Sequence, residues 1–122
     1  MKIRIRGNSI RYRLDKKDIE TLKADGKVEE STTIGVGNLH FCIKAKVGSN
    51  APFIKLESSA IHLSFPKEQV QEWTDTDQVG FSAEIPNADG SVLSILVEKD
   101  FKCLTERNED DSNAFDNPTS SC

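Results

Sequence analysis

The chain carries one pattern twice, and this constrains its fold more than any motif does. Lys2–Leu22 (KIRIRGNSIRYRLDKKDIETL) and Phe53–Trp73 (FIKLESSAIHLSFPKEQVQEW) align without a gap. Ile3 falls on Ile54, Ile5 on Leu56, Ile10 on Ile61, Tyr12 on Leu63, Leu14 on Phe65, Ile19 on Val70 and Leu22 on Trp73, each pair 51 positions apart. A unit too small to bury its own apolar face gains a core by packing against a copy of itself.

Within the first copy, Ile3 and Ile5 alternate with Lys2, Arg4 and Arg6. Ile10, Tyr12 and Leu14 alternate with Arg11 and Arg13, and Gly7-Asn8-Ser9 lies between the two runs. Period-two alternation around turn residues predicts a β-hairpin with an apolar face and a basic face. Asp15 is a suitable N-cap, Ile19 and Leu22 form a short apolar stripe, and Asp25-Gly26 supplies a C-cap, so one helix is expected there. A strand over 28–34 follows. Gly35 and Gly37 mark a turn. A strand over 39–47 points Leu39, Phe41, Ile43, Ala45 and Val47 inward and His40, Cys42, Lys44 and Lys46 outward.

The second copy repeats this order. Pro66 suits a helix start, and Trp73 takes the place of Leu22 in the core. Val79, Phe81, Ala83 and Ile85 align with Val28, Glu30, Thr32 and Ile34. With one inserted residue near Ala88-Asp89-Gly90, Leu93, Ile95 and Val97 fall on Phe41, Ile43 and Ala45. Val92 and Leu96 make the last strand apolar on both faces, as expected of a central strand.

The expected fold is therefore α+β over residues 1–104: a duplicated ββαββ unit (2–47 and 53–99). It comprises about eight mostly antiparallel strands, in two sheets or a partly closed barrel, with two short helices. Residues 105–122 read as an acidic C-terminal tail, loosely docked or disordered. The 122 residues suit one domain. No apolar run approaches the ~20 residues of a membrane span. Three cysteines without a scaffold spacing and an N-terminus unlike a secretion signal point to a reducing cytoplasm.

Charge is segregated along the chain. Met1–Lys17 holds seven bases and one acid, whereas Glu98–Cys122 holds seven acids and three bases. The face formed by Arg4, Arg6, Arg11 and Arg13 has no counterpart in the second copy, whose equivalents are Lys55, Glu57, His62 and Ser64. The fold thus does not require these arginines. Clustered guanidinium groups favour an anion, so the expected partner is a small anion or the chain's own tail. The net charge of −4 and the lack of aromatics beside the bases disfavour nucleic acid.

His40 and Cys42, two apart on one strand face, together with Cys103, are the metal-ligand candidates; no CxxC, HxxxH or HExxH spacing supports them. No catalytic residues and no cofactor are predicted. The alternative is a metal-dependent enzyme using Cys/His ligands or carboxylates such as Asp75, Asp77, Glu98 and Asp100. A monomer or homodimer is expected.

The opening MKIRIRGNSIRYRL, the central QEWTDTDQVGF and the ending LVEKDFKCLTERNEDD resemble a family of small bacterial proteins of about this length with no assigned function. The resemblance implies a free-standing bacterial cytosolic protein and brings no catalytic residues. The triphosphate-tunnel enzymes, eight-stranded barrels with an N-terminal EXEXK strand, are excluded: here that strand reads KIRIR and offers no carboxylate to a metal.

Overall fold

In the computed structural model, which describes residues 1–101 and Phe115, the first hairpin pairs β1 (Lys2–Arg6) with β2 (Ser9–Leu14). Gly7 turns it at φ 53°, and in the second copy Ser58 turns the equivalent hairpin at φ 54°. That hairpin is β5 (Phe53–Glu57) and β6 (Ala60–Pro66).

Each hairpin leads into a helix, α1 (Lys16–Asp25) after the first and α2 (Lys67–Asp75) after the second. Asp15 starts α1 with a reciprocal capping box. Its Oδ1 accepts the Asp18 backbone N–H at 2.9 Å, and Asp18 Oδ2 accepts the Asp15 N–H at 3.0 Å. Gly26, at φ 75°, ends the helix by donating its N–H to the Leu22 carbonyl. Pro66 closes β6 and stands at the N-cap of α2, where no side chain caps the helix.

After α1 come β3 (Lys27–Ile34) and β4 (Gly37–Lys46), and after α2 come β7 (Gly80–Pro86) and β8 (Val92–Lys99). The eight strands form two four-stranded sheets, ordered β1-β2-β8-β7 and β3-β4-β6-β5. Each ββαββ unit gives one hairpin to each sheet. The hairpins are antiparallel, and the central pairs β2–β8 and β4–β6 are parallel. The sheets stay separate and do not close a barrel. β8 is central, as its two apolar faces require.

The two units share equivalent backbone bonds at both ends of their central strands. Ser94 N–H donates to Asn8 O at 2.9 Å, and His40 N–H to Ser59 O at 2.8 Å. Lys99 N–H donates to Val79 O at 2.9 Å, and Ala45 N–H to Gly26 O at 2.8 Å. These bonds correct the alignment of the second half. Phe81, not Val79, occupies the place of Val28, and Val97, not Ile95, that of Ile43. The slip arises because Gly26 alone links α1 to β3, whereas Thr76–Val79 link α2 to β7.

The inward row Ile3–Tyr12–Val97–Phe81 of one sheet faces the equivalent row Ile54–Leu63–Ile43–Val28 of the other. Leu22, Val70 and Trp73 of the helices join this core. Phe81 packs edge-on against Trp73, centroids 5.1 Å apart, and against Phe65 at 4.6 Å. Lys23 and Asp75 bridge the helices at 2.9 Å. The end of the sandwich away from the helices is open: Ile5 and Leu56 are exposed despite their inward phase. Val47, expected inside, lies past the end of β4 and is exposed. No helix among the described residues is long and apolar enough to cross a membrane.

Candidate functional site

The outward face of β1 and β2 presents Lys2, Arg4, Arg6, Arg11 and Arg13. Antiparallel register sets Arg4 opposite Arg11 and Lys2 opposite Arg13. The sheet extends this face with residues from β8 and β7. Arg6, Ser9, Ser94 and Glu84 form one row across all four strands, and Arg4, Arg11, Leu96 and Ser82 form the next. Both rows line a shallow concavity of about 440 Å³. Arg13 lies outside it, one row along, beside a smaller hollow of about 80 Å³ shared with Lys2, Arg4 and Arg11.

Glu98 of β8 organises the basic face. Its Oε1 accepts from Arg11 Nε at 2.6 Å and Nη2 at 2.5 Å, and from Arg13 Nε at 3.1 Å. The three side chains are between 16% and 25% exposed, so the bonds are better shielded than a surface pair. Lys2 pairs with Asp100 at 2.9 Å. Five cations on two adjacent strands thus meet two acids from the next segment of the sheet. A carboxylate accepting bonds from two guanidinium groups sets their planes.

The arginine cluster expected from the sequence is therefore one continuous face, with Arg4, Arg6 and Arg11 in one groove. Glu98 counts with the acidic end in the sequence, yet it acts at the centre of this face. Ser9, Ser82, Ser94, Leu96 and Glu84 also contribute to the groove. Ser94, Leu96 and Glu98 do alternate with Ile95 and Val97, which signals an outward face. The parallel pairing that sets this face beside the arginines requires the three-dimensional topology.

His40 and Cys42 share the outward face of the other sheet, where His62 is the register neighbour of Cys42. Cys42 is buried there, while His40 and His62 are exposed. Burial, and then the charge of Glu29, pushes the Cys42 thiol above its usual range. Among the described residues no group of three or more His, Cys, Asp or Glu is placed to hold a metal ion. Cys103 lies outside the described residues, as does the tail 105–122 apart from Phe115, which is exposed.

A family model matches residues 1–119. The chain belongs to this family, the family of unknown function DUF7009. Membership in DUF7009 spans both ββαββ units and the acidic end, so the arginine face and Glu98 fall within the family's bounds. No curated protein matches the chain. No solved structure matches it.

Proposed function

We propose that this DUF7009 protein is an interaction or small-anion-binding module, and that Arg4, Arg6 and Arg11 receive the anionic group. The observation that supports this reading most is the excess of positive charge on one folded face: among the described residues, five cations against Glu98, Asp100 and Glu84, beside a concavity of about 440 Å³. Guanidinium forks bind carboxylate and phosphate oxygens in pairs. The corresponding face of the second hairpin carries Phe53, Lys55 and Glu57, with Lys55 paired to Glu57 at 3.1 Å, so the scaffold does not dictate the cluster. The acidic segment 105–122 is a candidate anionic partner within the chain itself.

A thermal-shift screen of the full chain against phosphate, pyrophosphate, an acidic peptide and divalent metals tests the proposal. Anions should raise the melting temperature in a salt-sensitive way, and Arg4→Gln with Arg6→Gln should abolish the shift. A shift produced by divalent metals and by no anion would favour a metal-dependent enzyme and overturn this reading.

A further inference from the structure

We propose that the groove takes a zwitterion of di- or tripeptide length, with its anionic end on Arg6 and its cationic end on Glu84; this rests on the anion-binding reading and extends it. The row Arg6–Ser9–Ser94–Glu84 crosses the sheet from edge to edge, and all four residues line the same concavity. Opposite charges thus stand on opposite walls. Neither side chain has an ion-pair partner among the described residues.

The two charges cannot satisfy one another. They sit on β1 and β7, three strand spacings apart in the sheet, which is roughly 14 Å at about 4.8 Å per spacing. Exposed charges at that distance are screened in ordinary salt, where the Debye length is about 8 Å. Neither therefore neutralises the other across the groove.

With both side chains standing upright from their strands, a ligand bonded at both walls loses one charge-assisted hydrogen-bond length, about 2.8 Å, at each end. Its poles are then roughly 8–9 Å apart. An extended backbone covers about 3.3–3.6 Å per residue, so a free dipeptide, at roughly 7 Å, and a tripeptide, at roughly 10 Å, bracket the gap with their terminal ammonium and carboxylate. Ser9 and Ser94 lie beneath the middle of such a ligand; the Ser9 hydroxyl already donates to the Arg6 carbonyl at 2.7 Å and would accept from a peptide N–H, while the Ser94 hydroxyl can serve either peptide group. Glu84 also sets selectivity: an extended polyanion long enough to cross the groove would bring negative charge against it, while a compact anion at Arg6 would not.

The test is a chemical-shift titration of the full chain with trialanine, N-acetyl-trialanine and trialanine amide, with inorganic pyrophosphate in parallel. Trialanine should saturate the groove, and each blocked peptide should bind about three- to tenfold more weakly. Glu84→Gln should remove the preference for the free amine, and Arg6→Gln the preference for the free carboxylate. Arg6 and Glu84 are both exposed, so these variants test recognition without disturbing the core. Equal binding of trialanine and its N-acetyl form, or a preference that survives Glu84→Gln, overturns the zwitterion while pyrophosphate binding sustains the anion reading. Failure of all four compounds to bind overturns both.

Discussion

Arg11 and Glu98 are 87 positions apart in sequence and joined at 2.6 Å between Nε and Oε1, with Arg13 bonded to the same oxygen. The pair ties the first hairpin to the last strand and adds a side-chain link across the parallel β2–β8 ladder.

Glu98→Gln therefore acts twice. It removes the carboxylate that two part-buried guanidinium groups share, at a cost of about 1–3 kcal/mol. It also raises the net charge of the face. Denaturant unfolding should show the loss, and pyrophosphate binding by the variant at low salt should be stronger than that of the parent.

Tyr12 is the chain's one tyrosine, so tyrosinate absorbance reports it alone. It is fully buried, and its hydroxyl has no hydrogen-bond partner among the described residues. Burial, reinforced by the Cys42 thiol, pushes its ionisation from 10.0 up to about 12. Since the folded value lies above the unfolded one, the associated stability is complete below pH ~10 and is lost as the pH climbs towards ~12, amounting to ~3 kcal/mol. The absorbance midpoint should lie near the higher value. Tyr12→Phe should flatten this alkaline limb and, by removing an unsatisfied hydroxyl, stabilise the neutral protein by about 1 kcal/mol.

Gly7 and Ser58 occupy one turn position in the two units, both left-handed, at φ 53° and 54°. Glycine adopts this conformation freely, whereas a residue with a Cβ is strained in it by roughly 1–2 kcal/mol. Glycine's greater unfolded-state entropy offsets part of that gain. Ser58→Gly should stabilise the protein by up to about 1 kcal/mol, and Gly7→Ser should destabilise it by a similar amount. Equal effects of one sign from both exchanges in thermal unfolding would contradict the equivalence of the two turns.

Trp73, the chain's one tryptophan, is fully buried and donates its indole N–H to the Val79 carbonyl at 3.1 Å. Trp73→Ala should cost about 3–5 kcal/mol. The native indole should resist fluorescence quenching by solutes until the protein unfolds.

Much of this fold is legible in the sequence because strand and helix periodicities are local. The alternation around Gly7 yields the first hairpin, Asp15 and Gly26 bracket α1, and the match of Leu22 with Trp73 places α2. The second half is harder. Four residues join α2 to β7 where one joins α1 to β3, and alternating residues align nearly as well two positions out of step, so Val79 rather than Phe81 falls on Val28. The arginine side of the groove is legible for the same local reason. The Glu98 and Glu84 side is not, because it arises when β8 pairs in parallel with a strand some 80 positions away, and no periodicity encodes which strands become neighbours.

The most direct test of the arginine face is calorimetric titration of pyrophosphate into the parent chain and into the Arg4→Gln, Arg6→Gln double variant at two salt concentrations. The parent should bind, more weakly at higher salt, and the variant's affinity should fall at least about tenfold, or roughly 1.4 kcal/mol. Identical isotherms for the two proteins, or no binding by the parent at low salt, would contradict the account.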